Sequence, residues 1–260
     1  MALNHLRPLA VAVAAAVTLA TAACGGSKEP APAQAPPADA KRVDASKAGS
    51  VTGKVGYEGP APQNAPVKLD SDPACAREHP NGMPLDTVLV TNGGLENVFV
   101  YVKDGLGSYY FDTPTEAVKL DQKGCRYTPH VFGLRTGQPV AIGNSDPTLH
   151  TVHAMATSNQ EFNLSQPIQG ITTTKTFTAP EIMVHFKCNV HNWMDAYAGV
   201  VSHPYFAVTA NGGTFELKNL PAGTYTIEAW HEKLGTQTQS VTIGEKESKT
   251  LDFTFKAAAS

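Results

Sequence analysis

The sequence CNVHNWM, which begins at Cys188, places a thiol, an imidazole and a thioether close together in the chain. Soft sulfur and nitrogen donors of this kind hold copper in electron-transfer sites, where one Cys, two His and a weak axial Met bind the ion. A second histidine is available upstream, at the end of the sequence NSDPTLH. The predicted ligands are therefore His150, Cys188, His191 and Met194. Such a mononuclear copper site makes electron transfer the leading functional hypothesis.

The residues before Cys188 alternate as in a strand with one buried face. In the sequence IMVHFKC, the residues Ile182, Val184 and Phe186 are apolar. Because successive side chains point to opposite faces of a strand, Cys188 is expected on the same inward face. A loop that carries His191 then follows the end of the strand. The alternative interpretation is that Cys188 is only a small buried apolar residue, as free cysteines often are.

The choice of the second histidine depends on the same geometry. His150 and Val152 share one face of a predicted strand, and His153 lies on the other face. If Val152 belongs to the core, His150 points inward and His153 outward. His153 would then be a hydrogen-bond donor behind a ligand, a ligand of a different metal, or a solvated residue. His130 is predicted to be structural.

The amino terminus predicts export and attachment to a membrane. Residues 1–23 contain Arg7, an apolar run and then small residues before Cys24. This pattern is typical of a signal peptide and is too short to cross a membrane, and its end resembles a bacterial lipobox. Residues 24–50 are rich in Pro and Ala and are predicted to be a lipid-anchored, disordered linker. The predicted localisation is a cell-envelope lipoprotein, in the periplasm or at the outer membrane; an ordinary cleaved signal is the alternative.

The four cysteines divide into different roles. Cys24 is assigned to lipidation and Cys188 to the metal, which leaves Cys75 and Cys125. Because thiols oxidise in an exported protein, a Cys75–Cys125 disulfide is predicted. It would close a loop of about 50 residues and stabilise the fold by about 4 kcal/mol in the chain-entropy description. The alternative is that one of these two thiols is free or binds metal.

Alternating apolar residues in the rest of the chain predict an all-β fold. The alternation is plain in residues 98–102, 225–229 and 251–255, and turns with Gly, Asn or Pro separate such segments. No long amphipathic helix is predicted. Many short strands with frequent turns favour a β-sandwich. About 210 residues follow the linker, which suits two small β domains or one large one.

Charge and motif content narrow the function further. The chain carries 20 Lys and Arg against 23 Asp and Glu, a net charge of −3, and it has no basic run. Nucleic acid is therefore not an expected partner. The sequence also contains no nucleophile elbow, zinc-protease or phosphate-loop motif, so the chain is predicted not to be an enzyme. The expected partners are a redox protein of unknown identity and, through the anchor, a membrane.

Residues 117–203 resemble the cupredoxin family, the plastocyanin-like proteins of type 1 copper. The resemblance lies in PHV from Pro129, TGQPV from Thr136, the segment that ends at His150, FTAP from Phe177 and the sequence CNVHNWM. The family implies a Greek-key β-sandwich, one mononuclear copper ion and one-electron transfer by Cu(I) and Cu(II). Carried onto this chain, it implies the ligands His150, Cys188, His191 and Met194.

Two departures from the family concern the metal loop. Plastocyanins and azurins have an Asn after the first ligand histidine that helps to fasten the loop, whereas this chain has Thr151. The spacing from His191 to Met194 is shorter than in plastocyanins and resembles the binuclear copper domain of cytochrome oxidase. That site needs two cysteines in its loop, and this loop has only Cys188, so a single copper ion is expected. A strained or non-blue site is an open alternative.

Residues 204–260 resemble a different family, the carboxypeptidase regulatory-like, or transthyretin-like, module. The sequence VTANGGTFELKNLPAGTY from Val208 carries this resemblance, and EAWHE from Glu228 is similar to a β module of rhamnogalacturonan lyases. Both imply a smaller β-sandwich without catalytic residues. Residues 51–116 are predicted to be an N-terminal β segment. One hypothesis makes them the first half of a split module with the cupredoxin inserted; a continuous N-terminal domain and extra cupredoxin strands are the alternatives.

Three functions remain open on the sequence alone. The first is a lipid-anchored electron carrier, and the second is copper handling by a storage protein or chaperone. The third is a cell-surface module that binds carbohydrate or protein, which would need exposed aromatic residues such as Trp193 and Trp230. A buried four-ligand site favours the first function over the second, because metal delivery needs exposed ligands.

Overall fold

The computed structural model describes residues 1, 39–60, 62–64, 66–85 and 87–257. The predicted lipidation site Cys24 lies outside these residues, as do the signal peptide apart from Met1 and the first part of the linker. Among the described residues, no helix is long and apolar enough to cross a membrane.

The regular secondary structure of the described residues is almost all strand, with one short helix, and the predicted all-β fold class is confirmed. Its elements are, in chain order, β1 (Gly49–Glu58), β2 (Pro66–Val67), α1 (Pro73–Glu78), β3 (Met83–Pro84), β4 (Val90–Thr91), β5 (Gly94–Leu95), β6 (Phe99–Asp104), β7 (Val118–Gln122), β8 (Tyr127–Thr128), β9 (Val131–Arg135), β10 (Pro139–Asn144), β11 (His150–Met155), β12 (Phe162–Gln166), β13 (Thr172–Thr176), β14 (Glu181–Lys187), β15 (Asp195–Val201), β16 (Phe206–Val208), β17 (Thr214–Leu220), β18 (Gly223–His231), β19 (Gly235–Ile243), β20 (Ser248–Thr250) and β21 (Phe253–Lys256).

One β-sandwich is built from the two ends of the described chain. Its first sheet has the strand order β17-β1-β5-β4, with β20 and β21 also paired to β1. Its second sheet has the order β16-β6-β18-β19. The two sheets share one apolar core, which includes Val51 of β1, Val100 of β6 and Ile227 of β18. These pairings are the ones that the split-module hypothesis needs, while the domain boundaries at residues 51–116, 117–203 and 204–260 stay predictions.

The other β-sandwich is formed by the intervening strands β7–β15. Its sheets have the strand orders β13-β10-β7-β8 and β12-β11-β14-β15-β9. Side chains alternate along these strands: β11 buries His150 and Val152 and leaves Thr151 between them partly exposed. The core contains Phe186 of β14 and also Cys188 and Met194, which follow it. Two of the predicted copper ligands therefore belong to this core.

The two sandwiches meet where Phe99 of β6 packs on β9 and β15. Phe99 is fully buried and belongs to a cluster with Val131 and Val201. A Cβ atom added at Gly199 of β15 would lie 2.3 Å from Cζ of Phe99. On β9, a Cβ atom added at Gly133 would lie 2.8 Å from Phe99 Cε2. A side chain at Gly199 would therefore clash with the ring of Phe99, and one at Gly133 would clash with this ring and, at 2.4 Å, with the ring of Phe206.

A cap, defined here as residues 66–85, lies outside both sandwiches and was not foreseen in the predicted N-terminal β segment. It consists of the β2–β3 pair and the helix α1. Asp72 begins this helix, because its side chain accepts the amide hydrogens of Ala74 and Cys75 and Pro73 follows it. The predicted disulfide is present: Cys75 of α1 is bonded to Cys125, with their Cα atoms 5.8 Å apart. The cap is thereby joined to the second sandwich.

Candidate metal centre

Three of the four predicted ligands converge at one end of the second sandwich. Nδ1 of His150 lies 2.9 Å from Nδ1 of His191, which lies 3.9 Å from Sγ of Cys188. All three ligand atoms lie within 4.8 Å of one another. The three side chains are 0–1% exposed. One sulfur and two nitrogens thus face a single buried point.

Strand geometry places these side chains. His150 is the first residue of β11 and points inward with Val152, whereas Cys188 directly follows β14. Two backbone hydrogen bonds close the loop after it, from the amide of Cys188 to the carbonyl of Met194 at 3.1 Å and from the amide of Met194 to the carbonyl of His191 at 3.0 Å. This tight closure brings His191 back over the thiol.

One step of the strand prediction was wrong. Val184 and Phe186 are buried as expected, but Ile182 is 38% exposed. The reason is a register shift in the β14–β15 pairing between Glu181 and Val184, which breaks the period of two at that end of the strand. The error does not reach Cys188, because the alternation holds from Val184 onward.

The thiol of Cys188 sits among hydrogen-bond donors. The amides of Thr151 and His191 donate to Sγ, each at 3.4 Å. Burial alone would raise the pKa of Cys188, but hydrogen bonds from His150, His191 and the two amides outweigh burial and lower it to about 5. The site therefore holds a thiolate at neutral pH, which is the form that binds a metal ion.

A carboxylate stands behind His150. Nε2 of His150 lies 2.9 Å from Oδ2 of Asp146, whose two oxygens also accept the amides of Gly124 and Cys125. Burial opposes the charge on His150, but the hydrogen bonds to Asp146 and Cys188 outweigh it and raise the pKa of His150 to about 9. Since Asp146 accepts the hydrogen on Nε2 of His150, the Nδ1 atom of this ring is the one left to face the thiolate.

A second carboxylate stands behind His191. Nε2 of His191 lies 3.0 Å from Oδ2 of Asp72, and the hydroxyl of Thr148 donates to the same oxygen at 2.7 Å. Burial would raise the pKa of Asp72, but the hydrogen bonds from Thr148, the helix amides and His191 lower it to about 2. The ring of Trp193 covers the other side of His191, with the ring centroids 4.9 Å apart.

This donor set fits a metal ion. Both Nε2 atoms lie against carboxylates, so both Nδ1 atoms face each other and the sulfur of Cys188. Such an arrangement needs a cation between the groups, either a shared proton or a metal ion that displaces it. A thiolate with two imidazoles is the soft set that copper prefers among the first-row metals.

The remaining predicted residues occupy other positions. Met194 is 1% exposed and packs in the same core as Cys188, and its assignment as axial ligand stays a prediction. His153 points away from this core and pairs with Glu161. His130 lies between the sandwiches, where it contacts the carbonyl of Asp195 and the carboxylate of Glu232.

Sequence reasoning missed Asp146, Asp72 and the role of Thr151. Asp146 could have been found from the sequence, because this acidic residue lies just before His150 in the same segment NSDPTLH. Asp72 has no such signal, since it reaches the site from the cap. Thr151 stands where the cupredoxin resemblance expected an Asn, and its hydroxyl accepts the amide hydrogen of Asn189 at 2.7 Å. The threonine therefore supplies a hydrogen bond that holds the start of the metal loop against β11.

A cleft of about 140 Å³ lies beside the centre, between the cap, the metal loop and the first sandwich. Its walls include Pro84 of the cap, Trp193 and Met194 of the loop, and Glu232 beyond β18. Trp193 is half-buried, and its indole nitrogen donates to the carbonyl of Cys125 at 3.1 Å. This ring therefore links His191 to the protein surface.

Solved structures similar to parts of this chain include copper proteins. A Cu-containing nitrite reductase from Thermus scotoductus SA-01 is 19% identical over 36% of this chain and 24% of its own, with a TM-score of 0.31. A methionine-to-alanine mutant of amicyanin in its Cu(I) form is 22% identical over 34% of this chain and 85% of its own, with a TM-score of 0.30. A purple cupredoxin from Nitrosopumilus maritimus is 16% identical over 32% of this chain and 98% of its own, with a TM-score of 0.28.

The chain spans about a quarter of the nitrite reductase, 24% of its length. No curated protein matches the chain. A family model matches the C-terminal part, in agreement with the resemblance found there in the sequence: residues 198–256 match the carboxypeptidase regulatory-like domain.

Proposed function

We propose that the chain binds one copper ion through His150, Cys188, His191 and Met194 and carries single electrons at the cell envelope. The observation that supports this most strongly is the convergence of two Nδ1 atoms and a thiolate in a buried site, with both Nε2 atoms already taken by carboxylates. When bound, copper supplies a one-electron couple. The protein groups hold its ligands in place.

The path to a redox partner is proposed to run through Trp193. Asp72 covers the outer edge of His191, which is 1% exposed, so this ligand does not itself reach the surface. The indole ring packs against His191 and opens to the cleft. Trp193→Leu is expected to slow electron exchange with a redox protein while the reduction potential changes little, which stopped-flow kinetics and voltammetry measure separately.

The proposal includes a membrane anchor at Cys24, in the periplasm or at the outer membrane, and no catalysis. Cys188, a potential nucleophile, is committed to the metal in this proposal. Native protein should partition with membranes, and Cys24→Ala should either release it or leave it unprocessed. Wild-type protein that is fully soluble after export would contradict the anchor.

The central test is the visible spectrum after Cu(II) is added to metal-free protein. A thiolate bound to Cu(II) is expected to give an intense visible band at one equivalent, and Cys188→Ser should remove it. His153→Gln is the matched control, because His153 lies near the site in sequence but points away from it. A band that survives Cys188→Ser would refute the site.

Copper storage is the second candidate, and the cap favours it. Asp72 and the disulfide-bonded cap lie over His191, which is expected to slow the release of a bound ion. Voltammetry separates the two functions: a reversible one-electron wave at the wild-type site supports the carrier, and a bound ion that does not cycle supports storage.

A further inference from the structure

The disulfide reaches both ligand histidines through two carboxylates. On one side, the amide of Cys125 donates to Oδ2 of Asp146 at 2.8 Å, and the same oxygen lies 2.9 Å from Nε2 of His150. The amide of Gly124 fixes the other oxygen of Asp146 at 2.7 Å. Asp146 is 4% exposed, so this chain of contacts is buried from the half-cystine to the imidazole.

The other half-cystine is connected in the same way. The amide of Cys75 donates to Oδ1 of Asp72 at 3.3 Å, and Oδ2 of Asp72 lies 3.0 Å from Nε2 of His191. Thr148, two residues before His150, donates its hydroxyl to that same Oδ2 at 2.7 Å. Each histidine therefore has its own aspartate, and each aspartate is held by one end of the disulfide.

We propose that Asp72, Cys75, Cys125 and Asp146 form a brace that sets the positions of the two ligand histidines, with Asp72 as the positioning residue for His191. This inference rests on the proposed function, because it concerns the ligands of that centre. It assigns the disulfide a role at the metal site besides its role in stability.

The brace acts through the imidazole tautomer and orientation. A carboxylate that accepts the Nε2 hydrogen leaves the lone pair on Nδ1, which is the atom directed at Cys188. It also holds the plane of the ring, so little rearrangement is needed when a metal ion binds or changes its charge. Two carboxylates add negative charge beside the centre, which favours Cu(II) over Cu(I).

The disulfide restricts the positions that the cap can give to Asp72. The buried apolar residues of the cap are few: Leu69, Cys75 and Met83 pack with Cys125 and the edge of Trp193. A small apolar cluster of this kind holds a segment weakly, and a covalent link restricts the conformations it can reach. Asp72 comes three residues before Cys75 and begins the same helix, so the link fixes the carboxylate directly.

The first test uses metal-free protein and does not depend on copper. In nitrogen-15 NMR spectra, wild-type His191 should carry its hydrogen on Nε2 and exchange it slowly with solvent. Asp72→Asn keeps the shape and one cap oxygen but presents an amide to His191, and Asp72→Ser keeps a good helix cap and cannot reach the ring. Both variants should speed this exchange and mix the tautomers.

Asp70→Asn is the matched control, because Asp70 is an exposed carboxylate of the same cap. The Asp70→Asn change alters the net charge by the same amount as the Asp72 variants do. It should leave the His191 signals as in the wild type. If Asp72→Asn and Asp72→Ser both retain the wild-type exchange rate and tautomer, Asp72 is only a helix cap and the brace is refuted.

The second test uses the copper-loaded protein. Loss of a carboxylate behind a ligand histidine should accelerate copper release by about 10- to 100-fold, in Asp72→Ser and in Asp146→Asn. The reduction potential should rise in both variants, because Cu(II) loses more than Cu(I) when a negative charge leaves. A Cys75→Ala, Cys125→Ala double variant should shift the His191 signals and the release rate in the direction of Asp72→Ser. A double variant that retains the wild-type values would refute the role of the disulfide.

Different experimental outcomes would refute the proposed function and the brace. Wild-type protein that binds no copper but shows the carboxylate-held His191 and its loss in Asp72→Ser would refute the proposed function and leave the brace in place. Copper binding with a normal band and unchanged release in Asp72→Ser would refute the brace alone.

Discussion

The hydroxyl oxygen of Thr151 accepts the amide hydrogen of Asn189 at 2.7 Å, and the amide of Thr151 donates to Sγ of Cys188 at 3.4 Å. One residue thus connects β11, which carries His150, to the first residues of the metal loop. A β-branched hydroxyl residue suits this position because it satisfies the strand and supplies an acceptor at the same time.

Thr151→Val removes the acceptor and keeps the shape. We expect the free energy of unfolding of the metal-free protein to fall by about 1 kcal/mol, because the variant loses the hydrogen bond from the Asn189 amide and the longer contact from the hydroxyl to Sγ of Cys188 at 3.7 Å. The looser loop should also exchange copper faster. Urea unfolding and copper transfer to a chelator measure the two effects, with Thr174→Val on the exposed face of β13 as the control. Wild-type exchange in Thr151→Val would mean that the loop is held elsewhere.

Met194→Leu tests the axial ligand. The substitution keeps the volume of a buried side chain, so stability should change by less than about 1.5 kcal/mol. The variant should retain copper and its visible band and show a higher reduction potential, because loss of a weak donor disfavours Cu(II) more than Cu(I). Met155→Leu, at an exposed methionine, is the control. An unchanged potential and spectrum would reduce Met194 to a packing residue.

Two buried histidines are expected to make the folded protein less stable in acid. Burial lowers the pKa of His203 to about 4, helped by Arg135, and that of His231 to about 4, where His130 and Lys233 add to burial and Glu232 opposes it. The folded protein keeps both rings neutral, whereas the unfolded chain binds protons below its ordinary pKa of 6.5. Their contribution to the free energy of unfolding is therefore complete above pH 6.5 and is lost as the pH falls towards 4.

Each of these histidines is expected to lower the free energy of unfolding by about 3 kcal/mol over this fall in pH. Asn can replace the Nδ1 acceptor that serves the amide of Tyr205 at His203 and that of Lys233 at His231. Urea titrations of metal-free His203→Asn, His231→Asn and wild-type protein between neutral and acidic pH should therefore show a flatter curve in each variant. Parallel curves would show that other groups control the acid transition.

Gly199→Ala tests the contact between the sandwiches. The added methyl group would lie 2.3 Å from Cζ of the fully buried Phe99, so the ring or the strand has to shift. We expect a loss of about 1–3 kcal/mol in unfolding free energy, of the size that overpacking gives. Gly56→Ala is the control, because its nearest neighbours lie 3.7 Å away. A Phe99→Leu change in the Gly199→Ala background should recover part of the loss.

Local patterns predict which residues of the candidate site point inward. His150 begins β11 and Cys188 follows β14, and each strand is buried on one side only. The period of two therefore places both residues on inward faces. The same reasoning failed at Ile182, where a register shift between strands is invisible in the residue pattern. The disulfide was predictable from the expectation of export and the count of cysteines.

The surroundings of the site could not be predicted in the same way. Asp72 looks like an ordinary helix start before Pro73, and its contact with His191 depends on where the cap is folded back. That placement is a tertiary property, set by the Cys75–Cys125 bond and by packing on Trp193. The helix α1 itself is shorter than any periodic pattern can reveal.

The pairing of β1 with β17, β20 and β21 also determines the order in which the chain can fold. The first sandwich has to wait for the far end of the polypeptide, and contacts of such high sequence separation form slowly. The strands β7–β15 are contiguous and can fold earlier. Once folded, they bring the flanking segments together and replace a long flexible loop with a short rigid one. Pulse-labelled hydrogen exchange during refolding should therefore protect the amides of β11 and β14 before those of β1.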